Sequence, residues 1–278
     1  MRIGVLVLPA DPWPESLALA RRIEEMGYDH LWTYDHLSWR RYRDKTWHAA
    51  IPWLTGVAAH TSRIRLGTMV SSPNFRHPVT LAKEAMTLDH ISDGRLTLGI
   101  GAGGIGFDAT VLGGQVLTPG ERARRLDEFV GHLDALLSEP ATSRVGDFYT
   151  VDEARMIPGS VQRPRVPLAV AAGGPKTMKT VIRYADAWIT EGDEAKIRTN
   201  AALMDESGRT MDRILLVDNG DDRPLASVDA FTDLVGRYAE LGFTDLVFHH
   251  PRPDDPVWTD DPAMVEKIAT EVLPSLRG

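Results

Sequence analysis

Residues 63–101 read RIRLGTMVSSPNFRHPVTLAKEAMTLDHISDGRLTLGIG, and this stretch decides the fold. Its first part, 63–70 (RIRLGTMV), has the composition of a strand. Pro78 suits the first turn of a helix that runs to about Ile91. Ser92-Asp93-Gly94 then turns the chain into a second strand, 95–101 (RLTLGIG). Strand, helix and strand in succession form a parallel crossover unit. The same alternation extends in both directions. Residues 2–8 (RIGVLVL) are apolar almost throughout, as a parallel strand buried on both faces requires. An amphipathic helix follows from Pro14, with Leu19, Ile23 and Met26 on one face and Gly27 as its cap. Residues 30–34 read as a strand and 49–62 as a helix. Beyond the central unit come helix 121–137, strand 166–172, helix 175–186, strand 187–190 and helix 194–207. Strand 213–218, helix 227–241, strand 244–249 and helix 262–276 complete the chain. Eight strand–helix pairs predict one closed (β/α)8 barrel spanning 1–278, with a doubly wound open sheet as the alternative.

The composition narrows the chemistry. No cysteine occurs in the 278 residues, which excludes disulfides, thiolate metal sites and a cysteine nucleophile. The net charge of −8 argues against general nucleic-acid binding. No apolar run approaches the ~20 residues of a membrane span, and no basic segment leads into an apolar signal core. The expected location is cytoplasmic, with no membrane or nucleic-acid partner. The nine histidines are scattered, and His249-His250 would point oppositely in a strand, so no metal site is expected. The longest non-helical stretches are 35–48, 102–118 and 138–165, and loops of that length inside a domain are usually functional. In a barrel they act after the strand C-termini.

Three segments at strand ends carry the candidate chemistry. Asp35-His36-Leu37, with Trp39, follows the second strand and offers a carboxylate, an imidazole and an indole to a flat heterocycle. The alternative is a capping aspartate beside a packed His-Trp pair. Residues 101–106 (GAGGIG) match G-x-G-x-x-G, but the next helix waits until about Pro119, so the dinucleotide reading fails its structural condition. Backbone without Cβ atoms lying against a planar ligand fits better, with a flexible loop as the alternative. Ala171-Ala172-Gly173-Gly174-Pro175-Lys176-Thr177 passes from strand to helix, exposing free N–H groups beside a lysine. That is a phosphate cradle in principle, or a tight turn. The basic run Arg40, Arg41, Arg43, Lys45 reads as a contact for an anionic group or as a solvated face.

Taken together, these segments resemble the luciferase-like monooxygenase family, and within it the branch that uses the deazaflavin coenzyme F420. The resemblance covers nearly the whole chain and is densest over 23–105, including IEEMGYDHLWTYDHL (23–37) and the stretch quoted above. AAGGP (171–175), followed by MKTVIRYADAWIT (178–190), is similar to the same branch. The resemblance implies a luciferase-type TIM barrel. It implies that Asp35 and His36 lie against the cofactor ring, with His36 the catalytic proton relay, and that Thr68, Met69 and Val70 form a bulge behind it with a cis Met69–Val70 peptide. Gly101, Ala102 and Gly103 would be backbone beside the cofactor. Ala171, Ala172, Gly173, Gly174, Pro175 and Lys176 would hold its phosphate. Trp39 and Glu191 are the substrate-side candidates; Glu191 and Asp218 are acids at strand ends.

The sequence also departs from the branch. Gly104 stands where its sugar-phosphate dehydrogenases carry a glutamate, which argues against sugar-phosphate oxidation. Trp39 follows His36 by three residues rather than four. The resemblance therefore implies an F420-dependent oxidoreductase, foremost a reductase that delivers hydride to an activated C=C or C=N bond of a small molecule. The alternatives are an FMN-dependent monooxygenase and a non-catalytic barrel that binds a ligand or partner. The Ala-Ala-Gly-Gly-Pro form favours the deazaflavin, and a homodimer is compatible with the resemblance.

Overall fold

The computed structural model describes residues 1–218, 222–252 and 255–277. The strands are β1 (Arg2–Leu6), β2 (His30–Thr33), β3 (Arg65–Thr68), β4 (Leu96–Ile100), β5 (Ala141–Val145), β6 (Thr150–Arg155), β7 (Leu168–Ala171), β8 (Ala187–Thr190), β9 (Asp212–Val217) and β10 (Asp245–His249). The helices are α1 (Trp13–Glu25), α2 (Ala50–Ala58), α3 (Pro78–Ile91), α4 (Pro119–Ser138), α5 (Pro175–Tyr184), α6 (Glu194–Glu206), α7 (Val228–Ala239) and α8 (Ala263–Glu271). All strands but β5 and β6 close into a barrel in the order β1-β10-β9-β8-β7-β4-β3-β2, every pair parallel. The seam is made by β1 on β10, with Arg2 opposite Asp245 and Leu6 opposite His249. Closure settles the choice between a barrel and an open sheet.

Alternating strand residues feed two cores. Leu6, Trp32, Met69, Ile189, Leu216 and Val247 meet inside the barrel, while Val5, Leu31, Leu66, Leu98 and Phe248 pack outward against the helices. Both faces are therefore apolar, which is why these strands read as continuous hydrophobic runs. Each of the largest buried side chains contributes about 1.5–3 kcal/mol by leaving water. Among the described residues, no helix is long and apolar enough to cross a membrane.

One expectation about the long loops needs correction. Residues 138–165 contain the antiparallel hairpin β5–β6, which pairs Ala141 with Arg155 and Val145 with Thr150. It precedes strand β7 instead of following a strand, so it lies outside the barrel mouth. Its turn is fastened to α4, where the Glu128 carboxylate accepts the N–H groups of Asp147, Phe148 and Tyr149 at 2.7–3.2 Å. Only 35–48 and 102–118, of the three long stretches, follow barrel strands.

Candidate active site

A cavity of about 580 Å³ opens at the strand C-termini. It is bounded by Met69 and Val70 after β3, Gly101 to Gly104 after β4, Ala171 to Gly173 after β7, and Glu191 after β8. The Met69–Val70 peptide is cis, as the resemblance implies. The chain keeps its neighbours through this bulge: Met69 N donates to Thr33 O at 2.8 Å, and Ser71 N to Gly99 O at 2.8 Å. Thr68 is corrected. Its buried hydroxyl donates to Gly99 O and accepts Gly99 N, so it locks the bulge and presents nothing to the cavity.

Gly101, Ala102 and Gly103 line the cavity, and the glycines among them also have packing reasons. A Cβ on Gly101 would lie 2.5 Å from Val70 Cγ2, so a side chain there would have to displace the bulge's valine. Gly103 has φ +76°, a conformation that favours glycine, and packs on Asn74. Gly104 also lines the cavity, so the position of the branch's glutamate is a wall without a side chain.

Asp35 and His36 part company as they leave β2. The Asp35 carboxylate is buried and fully engaged: Arg76 donates to its two oxygens at 2.7 and 3.0 Å, and Ser71 Oγ donates at 2.6 Å. Asp35 is therefore a clamp beneath the site and does not face the cavity, contrary to expectation. His36 does face it. Its Nδ1 lies 2.6 Å from Oδ2 of Asp108, a buried acid on the segment after β4. Asp108 Oδ1 accepts the N–H groups of Leu37 at 3.0 Å and Ser38 at 3.4 Å, and Trp47 Nε1 donates to His36 O at 2.8 Å. Sequence reasoning missed Asp108, because nothing in a glycine-rich loop marks one acid as the partner of a residue 72 positions away.

The strand β7 to helix α5 turn divides as well. Ala171, Ala172, Gly173 and Thr177 line the cavity; Gly174, Pro175 and Lys176 do not. Gly174 caps α5, and Pro175 is its first residue. The Lys176 ammonium instead lies over α4, 3.6 Å from where a Cβ of Gly120 would stand. Lys176 thus stands away from the cavity, whereas Thr177 lines it. Among the described residues, the N–H of Gly173 has no protein acceptor, and a Cβ there would meet only open space. This is an open turn with a free donor at a helix start.

The remaining wall is polar and aromatic. Asp218, after β9, accepts Tyr34 Oη at 2.9 Å and His249 Nε2 at 2.8 Å on one oxygen. Arg252 donates to His249 Nδ1 at 3.0 Å, which leaves the ring proton on Nε2. Burial works against the Asp218 charge, but hydrogen bonds from His249 and Tyr34 hold its carboxyl below the usual aspartate range. Glu191 has the opposite balance. Enclosure by the barrel mouth, with Asp218 nearby, pushes its carboxyl up to about 6, although the side chain opens onto the cavity. Trp39 lines the cavity and stacks with Tyr42 and His36 at interplanar angles of 19° and 24°. The basic run splits: Arg40 reaches the cavity and covers Trp39, while Arg41 pairs with Asp255 at 2.6 Å, Arg43 covers Phe107 and Lys45 covers Tyr42.

A curated relative from Mycobacterium tuberculosis, itself uncharacterized, is 30% identical, with 98% of this chain and 99% of the relative covered. The F420-dependent glucose-6-phosphate dehydrogenase of Beutenbergia cavernae is 29% identical, with 95% and 94% covered. Among solved structures, the monooxygenase RslO1 of Streptomyces bottropensis superposes with a TM-score of 0.83 at 21% identity, covering 99% of this chain and all of that one, which establishes the shared fold. The family model described as luciferase-like monooxygenase matches residues 1–220, and the chain belongs to that family.

Proposed function

We propose that the protein is an F420-dependent oxidoreductase, and specifically a reductase that delivers hydride to an activated C=C or C=N bond of a small molecule. The observation that carries the reading is the pairing, in one cavity, of His36, held by Asp108, with the helix-start turn at Gly173 and Thr177. The residues present suit the cofactor. Met69, Val70, Ala102, Ala171 and Ile189 give an apolar wall for a flat ring. Gly173 leaves room for a phosphate, and its free N–H matches an acceptor oxygen. When bound, a deazaflavin supplies hydride.

The chain supplies the rest. Gly173 and Thr177 hold the phosphate end, and Met69–Val70 backs the ring. His36 holds or moves a proton at the substrate atom next to the one reduced. Trp39, Arg40, Glu191 and Asp218 form the substrate end. The dehydrogenase name of a relative at 29% identity supports the cofactor class. Gly104 stands where the resemblance implies a glutamate in the branch's sugar-phosphate dehydrogenases, which favours a different substrate.

The test is titration of the purified protein with F420 and with FMN, followed by fluorescence or calorimetry. The expected result is saturable F420 binding and weak or absent FMN binding. Tight FMN binding without affinity for F420 overturns the reading in favour of a flavin monooxygenase. Binding of neither overturns it in favour of a non-catalytic barrel.

A further inference from the structure

We infer that Asp108 is the positioning residue for His36: it fixes the ring proton on Nδ1, turns Nε2 to the cavity, and stabilises the charged ring that donates a proton there. The role rests on the reading of His36 as the proton donor, but the geometry behind it stands by itself. A carboxylate oxygen 2.6 Å from Nδ1 can only accept, so Nδ1 must carry a hydrogen. Asp108 is nearly sealed from water, whereas the His36 side chain remains one-third exposed through the cavity, with side-chain accessibilities of 6% and 33%. Among the described residues, His36 Nε2 has no partner, which leaves it for a ligand.

The proton balance follows from this arrangement. With Nε2 also protonated, the ring is a cation against the Asp108 carboxylate. After hydride addition, the neighbouring substrate atom holds an electron pair. The Nε2 proton passes to that pair, a new N–H or C–H bond forms, and the ring returns to its neutral Nδ1–H form. Asp108 remains ionised throughout, and solvent at the cavity mouth returns the proton to Nε2. An acid that orients and charges an imidazole in this way acts through geometry, without itself transferring the proton.

The second oxygen of Asp108 makes the idea sharply testable. Oδ1 accepts two backbone N–H groups, from Leu37 and Ser38. In Asp108→Asn the amide oxygen must stay on those donors, so the amide NH2 faces His36 Nδ1. An N–H donor there requires a lone pair on Nδ1 and drives the ring proton to Nε2. The loop contacts survive, while the tautomer inverts and the charged ring loses its partner.

The experiment is nitrogen-15 NMR of histidine-labelled protein without cofactor, combined with F420 titration and turnover on a reducible substrate found by screening. In the wild-type protein the His36 signal should show hydrogen on Nδ1; in Asp108→Asn it should show hydrogen on Nε2. Turnover should fall about 10²–10⁴-fold, the range for lost acid–base catalysis, with F420 affinity within a few-fold of wild type. A wild-type ring protonated only on Nε2 overturns the role of Asp108 without reference to any variant or cofactor. An inverted tautomer with turnover retained within a few-fold also overturns it. Absence of F420 binding to the wild-type protein is a separate outcome, which removes the functional reading and leaves the tautomer result to stand.

Discussion

Adding hydride to a polarised double bond leaves an electron pair on the adjacent atom, and a donor within about 3 Å must supply the proton. His36 is the cavity residue best placed for this, since its ring faces the cavity while Asp108 holds Nδ1 at 2.6 Å. His36→Ala should therefore lower turnover about 10²–10⁴-fold, with F420 affinity much less affected. Steady-state rates and a cofactor titration of the same variant provide the check; turnover within a few-fold of wild type makes His36 only a wall of the pocket. The cradle can be tested residue against residue. Gly173→Asp adds bulk and a negative charge where a Cβ has open space, so the fold should persist while F420 binding is abolished. Lys176 leaves the cavity for α4, so Lys176→Ala should hold affinity within a few-fold. A large loss from Lys176→Ala with none from Gly173→Asp would reverse the two assignments.

The elements show which information is local. Barrel strands were legible because both faces are buried, and helices because Pro78, Pro119 and Pro175 mark their starts. Hairpin β5–β6 was not, because Thr142 and Val151 are its only buried residues and leave no period to read. The site divides on the same line. His36, Trp39, Gly173 and Glu191 follow strands and are marked by that position, whereas Met69 and Val70 are marked only by the family resemblance. The partners of Asp35 and His36 are marked by neither, since Arg76 and Asp108 arrive from other crossovers. Glu191 illustrates what an element end can do to a charge. It leaves β8 beside Asp218, with Tyr34 and Arg40 also on this wall, and its carboxyl is pushed up to about 6 by enclosure and by Asp218. A folded-state value above the unfolded one contributes stability below about pH 4.5 that is lost as pH rises through about 6. Glu191→Gln should thus gain stability relative to wild type between pH 5 and pH 8. The gain should be small, because solvent in the cavity screens the charge. Calorimetric melting of both proteins at the two pH values measures it, and a difference independent of pH refutes it.

At the scale of the whole molecule, function and closure occupy opposite ends of the barrel. The C-terminal end holds the larger cavity, while at the N-terminal end an ionic network ties the seam where the first and last strands meet. Arg2 donates two bonds to Asp245 at 2.6 and 2.7 Å and pairs with Asp212 at 2.6 Å. His30 Nε2 approaches Asp245 at 2.7 Å, and Trp32 Nε1 donates to His30 Nδ1 at 2.6 Å, which leaves Nε2 as the donor to the carboxylate. Burial opposes the charge on Asp245, yet the bonds from His30, Arg2 and Thr244 hold its carboxyl down at about 2. Asp245 is nearly inaccessible, so this difference is a stability term. A depressed carboxyl contributes stability above its ordinary unfolded value near 3.8, and that contribution disappears as pH falls through about 2. The pH-dependent part is about 2 kcal/mol. Asp245→Asn keeps the shape but removes the buried charge that Arg2 and His30 share; Arg2 is half exposed and keeps Asp212, so the cost should be about 2 kcal/mol, the size of the pH-dependent part. At pH 7 the variant should therefore unfold at lower urea concentration, with its midpoint shift unchanged down to about pH 5. Between about pH 4 and pH 2 the two proteins should converge as the wild-type carboxyl takes up its proton. F420 affinity at neutral pH should remain within a few-fold, because the network lies at the far end from the cavity. Urea unfolding followed by circular dichroism across this range decides the matter: equal stability at pH 7, or a gap that stays constant to pH 2, would mean that the seam is held by packing and strand pairing instead of by this charge.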